Sequence, residues 1–180
     1  MDGRERGFTL LELLIGLALL ALLLMLAAPP LRELVTVNRA AVHAQTLMTS
    51  LVLARTEAVK RNQRVTLCKS ADGAACTTTG DWSQGWLVFV DESTFGIHDP
   101  AEEVVRIQQG LDDDFTLRNA NAANWYGYRP DGSAVSSGGL VTGTFRICPG
   151  NGNAKLAYRV ITNITGRPRT ARAMGDLSCP

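Results

Sequence analysis

The N-terminal part of the chain contains a long apolar segment without charge. From Leu13 to Leu31 there are nineteen residues, and none of them is charged. A helix of this length covers roughly 28 Å, which is close to the hydrocarbon thickness of a bilayer. Arg4 and Arg6 precede the segment, and a flank with positive charge favours the cytoplasmic side. We therefore predict that the chain begins with a membrane-spanning helix.

The residues in front of this segment distinguish it from a secretory signal peptide, whose apolar region is shorter and ends in a cleavage site of small residues. They read R-G-F-T-L-L-E, from Arg6 to Glu12. This motif resembles the class III signal of type IV pilins and type II secretion pseudopilins. The resemblance implies that a prepilin peptidase removes residues 1–7 by cleaving after Gly7 and that Phe8 becomes the N-methylated first residue.

Glu12 is a carboxylate at the edge of an apolar span, where a charge is costly and usually functional. The resemblance implies that Glu12 pairs with the amino group of Phe8 in the neighbouring subunit of a filament. The alternative is an interfacial glutamate whose side chain only reaches the membrane edge.

Residues 8–60 are predicted to form one helix, with a membrane or filament-core half (8–31) and an amphipathic half (32–60). Pro29 and Pro30 are expected to kink or locally melt it. Spacings near three and four residues predict a stripe that packs on the rest of the chain, with Arg55 as the one charge on it. The stripe contains Leu34, Val37, Ala41, Ala44, Met48, Leu51 and Ala58.

Residues 61–180 are predicted to form a β-rich head, which makes the fold α+β: a long N-terminal helix packed on a globular β domain. Alternating or apolar runs between turn residues predict the strands. These are Arg64 to Lys69, Trp86 to Asp91, Val104 to Gln109, Phe115 to Arg118, Trp125 to Arg129, Thr144 to Cys148 and Lys155 to Asn163. The third and fourth are joined across Gly110, and the last two flank a hairpin turn at 149–152.

Four cysteines lie in the head, which is on the oxidising side of the membrane if the arginine flank stays inside. We predict the disulfides Cys68–Cys76 and Cys148–Cys179, one of three possible pairings. Zinc binding is the competing interpretation, but the chain lacks a CxxC motif and has two histidines. No metal site is therefore expected.

Four motifs in the head narrow the resemblance to minor pilins of the FimU/FimT group, within the GspH-like superfamily. They are W-x-x-G-W-x-V-F-x-D (82–91), Y-R-P-D-G (128–132), F-R-I-C-P-G (145–150) and I-T-N-I-T-G-R-P-R (161–169). The group implies a single-pass protein of the bacterial inner membrane with a periplasmic head, later built into an extracellular pilus near its tip. The implied partners are prepilin peptidase and other minor and major pilins. The alternative is an H pseudopilin of type II secretion.

No catalytic or cofactor-binding motif is recognisable, so neither an enzyme nor a cofactor is expected. The run Asp112-Asp113-Asp114 could suggest a cation site, but calcium sites space their ligands, and a solvated acidic loop is the simpler interpretation. His43 and His98 have no recognisable catalytic partner.

Charge is strongly segregated, although the net charge is only +1. Residues 91–114 hold eight acidic residues and one basic residue, whereas residues 132–175 hold six basic residues and no acidic one. Double-stranded DNA could bind here through phosphate contacts of Lys155, Arg159, Arg167, Arg169 and Arg172. The FimT branch resembles DNA receptors of natural transformation with a G-R-x-R motif, which residues 166–169 match. Contact with an acidic face of another subunit and a solvated basic surface are the alternatives.

Overall fold

In this computed structural model, the described residues are 8–111, 114–173 and 178–179, without the side chains of residues 26–30. They form one α-helix, α1 (Leu10–Arg61), followed by nine β-strands and two short 3-10 turns. The strands are β1 (Val65–Lys69), β2 (Gly85–Val90), β3 (Val104–Gln109), β4 (Phe115–Arg118), β5 (Trp125–Tyr128), β6 (Ala134–Ser136), β7 (Gly143–Pro149), β8 (Tyr158–Thr162) and β9 (Pro168–Arg172). The predicted α+β class is therefore confirmed.

Contacts divide the chain into one unit that ends at Thr36 and another that starts at Val37. In the first unit, every described side chain from residue 8 to residue 25 is exposed. The helix continues through Pro29 and Pro30, so the local melting expected there does not occur. Within the described part of the chain, no helix combines the length and the apolar character that crossing a membrane requires.

In the second unit, α1 buries one face against the β-strands. The buried positions alternate in steps of four and three: Ala40, Ala44, Leu47, Leu51, Ala54 and Ala58. The predicted stripe is correct at three of these, but Leu34 is exposed, and Ala41 and Met48 are half-buried. Apolar residues lie on more than one side of this helix, so periodicity did not identify the buried face. The small alanines let the strands approach closely, which decides the packing.

The helix ends at Arg61, and the next residue, Asn62, has a left-handed φ of 53°. The amide of Gln63 donates to the carbonyl of Ala58 at 3.2 Å, and the amide of Asn62 donates to Val59 at 3.4 Å. This pair of bonds is the Schellman motif, in which asparagine is tolerated because it adopts the left-handed conformation readily. The chain is thereby turned directly into β1.

The first sheet has five antiparallel strands in the order β3-β2-β1-β5-β6. Its central strands β1 and β2 are buried at every position, because both faces are covered. Val65, Leu67, Trp86 and Val88 pack in the main core with α1. On the opposite face, Cys68, Leu87 and Phe89 are covered by Cys76 and Trp125.

The second sheet has four antiparallel strands in the order β4-β7-β8-β9. Alternation along its strands directs one set of side chains into the main core, including Phe115, Leu117, Phe145, Ile147 and Val160. The residues between them face outwards.

The joined strands β3 and β4 belong to different sheets. Between them, the amide of Leu111 donates to the Ser83 carbonyl at 2.7 Å, and the Leu111 side chain packs on the main core. Three other strands, β6, β8 and β9, differ most from the prediction. The β7–β8 connection contains a 3-10 turn, Ala154–Leu156, so β8 starts at Tyr158. β6 and β9 were not predicted: β6 has three residues, and β9 combines a proline with two arginines.

Two residues of the 82–91 motif have structural roles. The Trp82 indole donates to the carbonyl of Ala122 at 2.9 Å and packs edge-on against Phe145. The buried Asp91 carboxylate accepts hydrogen bonds from the Thr66 hydroxyl at 2.7 Å and the Gly96 amide at 3.0 Å. The motif therefore builds the core and the loop after β2.

Candidate nucleic-acid interface

The predicted processing and assembly residues lie at the start of α1. Gly7 is outside the described residues, and Phe8 is 88% exposed. The Glu12 carboxylate lies 3.4 Å from the Thr9 amide, and the Glu12 amide donates to the Thr9 hydroxyl at 3.2 Å. These bonds form a capping box, which satisfies amide groups of the first helical turn. Within one chain, Glu12 thus caps its own helix.

The predicted DNA-binding residues lie along β8 and β9. Arg167 is in the turn before β9, Arg169 and Arg172 are on β9, and Arg159 is on β8. Lys155 belongs to the 3-10 turn before β8. Because β9 is an edge strand, Arg167 to Arg172 follow the margin of the sheet over about 17 Å.

Strand register separates these residues into groups. Arg169 lies opposite Ile161, and Arg159 lies opposite Ala171, so Arg159 and Arg169 share the outer face. Arg172 lies opposite Tyr158 and therefore belongs to the other face of the sheet. Lys155 lies at the end of β8 remote from Arg167. The structure therefore brings Arg159 and Arg169 together and places Lys155 apart from Arg167.

Gly166 determines where the basic turn lies. Its φ is +72°, and a Cβ at this position would lie 2.8 Å from the Gly132 carbonyl oxygen and 2.8 Å from Tyr128 Cε1. The same Gly132 carbonyl accepts a hydrogen bond from Arg55 Nε at 3.1 Å. The Y-R-P-D-G and G-R-P-R motifs are thus in direct contact, because the second turn packs on the first.

This packing places Arg167 beside α1. A cleft of about 540 Å³ is lined there by Val52, Arg55, Thr56, Val59, Lys60, Arg167 and Pro168. Arg55 therefore adds positive charge next to the predicted DNA-binding turn, and Lys60, which pairs with Glu57 at 3.7 Å, lies beside it. The sequence does not predict either residue at this site, although the position of Arg55 on the apolar stripe indicates that it contacts the head.

Among its described residues, the acidic segment 91–114 is largely engaged within the head. It forms the ion pairs Asp91–Arg64 at 3.3 Å, Glu103–Arg61 at 2.6 Å and Asp114–Arg39 at 3.2 Å. Hydrogen bonds from Arg61 lower the pKa of the Glu103 carboxyl. By contrast, Lys155, Arg167, Arg169 and Arg172 have no carboxylate partner among the described residues. The basic side is the one available to an external partner.

The structure joins the cysteines in the predicted pairs. Cys68–Cys76 closes the loop after β1, and Cys148–Cys179 holds the C-terminal residues against β7. Among the described residues there is no group of three metal-ligating side chains. Asp112 and Asp113 of the acidic run lie outside the described residues. His98 Nδ1 lies 3.1 Å from the Ala74 carbonyl oxygen, and His43 packs edge-on against Phe115.

A long helix that is apolar and exposed at its start, followed by an antiparallel β head, defines a pilin-like subunit. The family model described as type II transport protein GspH matches residues 43–166, and the prokaryotic N-terminal methylation motif matches residues 2–28. The chain therefore belongs to the GspH family of pilin-like proteins. The methylation motif implies a precursor that is anchored in a membrane.

Comparisons with individual proteins agree with this assignment. The chain is 41% identical over 101 residues to the pilin-like protein PilA1 of Thermus thermophilus, a match that covers 55% of this chain and 56% of that protein. It thus spans little more than half the length of this relative.

Two solved structures share the fold. The type IV minor pilin FimU of Pseudomonas aeruginosa has a TM-score of 0.59 at 19% identity, covering 79% of this chain and 93% of FimU. The minor pseudopilin EpsH of the type 2 secretion system of Vibrio cholerae has a TM-score of 0.52 at 16% identity, covering 74% and 97%. The resemblance to GspH-like minor pilins is confirmed.

Proposed function

We propose that this chain is a minor pilin, held in the bacterial inner membrane by one helix with its head in the periplasm, and then built into a type IV pilus near the tip. The observation that carries the proposal is the exposed apolar surface of α1. Between residues 8 and 25, every large apolar side chain is at least 52% exposed. A helix that is apolar on all sides requires lipid or other helices around it.

The proposed maturation removes residues 1–7 after Gly7 and methylates Phe8. Glu12 then exchanges its hydrogen bonds with Thr9 for the new amino group of a neighbouring subunit. The intrachain bonds are long, at 3.4 Å and 3.5 Å, and exposed. A bond from an ammonium group to the Glu12 carboxylate, in which both partners are charged, is shorter than these bonds, which favours the exchange.

The exposed side of α1 in the second unit supports assembly with other pilins. Its residues recur in steps of three and four without a charge: Val42, Gln45, Thr49, Val52, Thr56 and Val59. Exposed helix faces normally carry charged residues, so an uncharged face suits contact with neighbouring subunits.

Incorporation can be tested on pili sheared from cells that produce Glu12→Gln or wild-type chain. We expect normal cleavage of the variant but several-fold less of it in the pilus fraction. Glu33→Gln, which changes another exposed glutamate of α1, should be incorporated like the wild type. Equal incorporation of all three chains would contradict the role of Glu12. Recovery of the wild-type chain with secretion pseudopilins instead of pili would contradict the pilus assignment.

We also propose that the basic edge of the second sheet, from Arg167 to Arg172, binds double-stranded DNA for uptake. Support comes from the G-R-P-R turn, the line of arginines along β9 and the two further cations beside Arg167. Each phosphate that a cation neutralises releases counterions, so affinity should fall steeply with salt. Contacts of this kind would bind DNA without reading its sequence.

The test is a salt titration of duplex binding by the full chain in detergent. Loss of two phosphate contacts in Arg167→Ala/Arg169→Ala should reduce the slope of log K against log salt by about 1.8. Arg32→Ala/Arg106→Ala removes two positive charges elsewhere and should leave the slope unchanged. Absence of wild-type binding at low salt would refute DNA binding and leave pilus assembly as the function.

A further inference from the structure

Three arginines lie in directly opposed positions on neighbouring strands of the second sheet. Arg118 of β4 is opposite Arg146 of β7, and Arg146 is opposite Arg159 of β8. Their neighbours Leu117, Phe145, Ile147 and Val160 face the core, so the arginines lie on the outer face. Adjacent strands are about 4.8 Å apart, and the row therefore crosses the sheet over roughly 10 Å.

The like charges of Arg118 and Arg146 face each other directly across two neighbouring strands. Like charges directly opposite each other on a sheet destabilise it by about 0.2–1 kcal/mol per pair. Asp81 offsets part of this by pairing with Arg118 at 3.0 Å. Arg146 donates to the neutral hydroxyl of Ser178 at 3.3 Å and has no carboxylate partner among the described residues. The arrangement suits an anion supplied from outside.

One end of the row opens into a cavity of about 590 Å³, whose wall includes Lys69, Asp81, Arg118 and Arg146. Lys69 is buried, and its ammonium donates to the carbonyls of Thr78 at 3.2 Å and Gly80 at 2.8 Å. Burial lowers the pKa of Lys69, and the neighbouring Asp81 carboxylate partly opposes this shift. Three cations and one carboxylate thus surround the cavity.

At its other end, the row of arginines continues towards the basic residues of β9. Arg169 lies diagonally from Arg159, because it is two residues from the partner of Arg159 on β9. Side chains in diagonal positions are about 7–8 Å apart, within reach of one another for arginine. The outer face of the second sheet therefore carries a continuous basic track, defined as Arg118, Arg146, Arg159 and Arg169. Lys69 of β1 lies in the wall of the cavity at one end of this track.

We propose that this basic track is a second part of the DNA interface, in which Arg118 and Arg146 bind phosphates of a duplex whose backbone crosses the outer face of the second sheet. The inference rests on the proposed DNA binding and extends it beyond the tail. Four strands span about 14 Å, which corresponds to about four phosphates of one DNA strand when the distance is measured along the duplex axis. Binding is independent of base sequence, because the track presents cations to a backbone.

The experiment measures binding of the full chain in detergent to a fluorescent duplex of about 30 base pairs across a salt series. If each arginine neutralises one phosphate, Arg146→Gln should reduce the slope of log K against log salt by about 0.9, and Arg118→Gln/Arg146→Gln by about 1.8. Arg106→Gln, on β3 of the other sheet, removes the same charge as Arg146→Gln and should leave the slope unchanged.

A charge-conserving variant separates phosphate contact from loss of structure. Arg118→Lys/Arg146→Lys should keep the wild-type slope, since lysine also binds phosphate as a point charge. Equal losses in the Lys and Gln variants would indicate damaged folding and overturn the inference. A wild-type slope in the Gln double variant, with a reduced slope in Arg167→Ala/Arg169→Ala, would overturn it while the proposed function stands. If the wild-type chain binds no duplex, both fail.

Discussion

Replacement of Gly166 by alanine tests whether one glycine positions the basic turn. The φ of +72° costs an L-residue about 1–2 kcal/mol, because its Cβ approaches the following carbonyl oxygen. The new Cβ would also lie 2.8 Å from the Gly132 carbonyl oxygen, a backbone atom that cannot rotate away. Overpacking of this kind costs about 1–3 kcal/mol. Together these effects should lower the free energy of unfolding by about 2–5 kcal/mol.

Gly139→Ala is the matched control, because Gly139 has a φ of +75° and a Cβ added there would have no atom of the described residues within 4 Å. It should lose only the conformational part, about 1–2 kcal/mol. Urea unfolding followed by tryptophan fluorescence reports on the head, since Trp82, Trp86 and Trp125 all lie there. If the two variants lose the same stability within about 0.5 kcal/mol, the contact between Gly166 and the 128–132 turn does not hold the basic turn in place.

Three further perturbations follow from the structure. Leu47→Ala should lower the free energy of unfolding by about 3–5 kcal/mol, and Met48→Ala should lower it by less than half of that, because Leu47 is fully buried and Met48 is not. Urea unfolding measures both losses. Removing the Cys148–Cys179 disulfide should lower the free energy of unfolding by about 4 kcal/mol, and removing Cys68–Cys76 should lower it by about 2.5 kcal/mol, since the closed loops span 31 and 8 residues. Equal losses would contradict the view that loop length sets the stabilisation. Burial would raise the pKa of Asp81, but hydrogen bonds from Ser83 and Arg118 outweigh it and lower the pKa below 3.8. Its stabilisation is therefore complete above pH 3.8 and lost as the pH falls through the folded-state value, so Asp81→Asn should flatten the acid side of a plot of melting temperature against pH.

The strands with strong local signals were predicted well. β3 and β4 have the predicted bounds, β1 and β5 differ by one residue at one end, and β2 is shifted by one residue at both ends. β1 and β2 are buried at every position and β4 buries alternate residues, whereas no residue of β3 is fully buried. β9 carries Pro168, Arg169 and Arg172 and has no such signal. It forms because β8 offers an edge to pair with, and proline is tolerated at the first residue of an edge strand.

The residues of the candidate site were likewise predicted only in part from the sequence. The sequence showed that Arg167 and Arg169 belong to a basic tail, because charge segregation is visible along the chain. It did not show that Arg118 and Arg146 share a face with Arg159, because β4 lies well before β7 in the chain and their register is a tertiary property. Nor did it show that Arg55 and Lys60 of α1 lie beside Arg167.

The sequence by itself determined the class of protein: an apolar N-terminal helix with a methylation motif, a β-rich head and the cysteines that form its disulfides. These features depend on residues that are close together in the chain, so local composition and spacing are enough to predict them. The tertiary structure decided which face of α1 is buried, which strands share a sheet and which arginines become neighbours. Those outcomes depend on close packing and strand register between distant segments, and a shift of one residue in register would move every outer arginine to the opposite face.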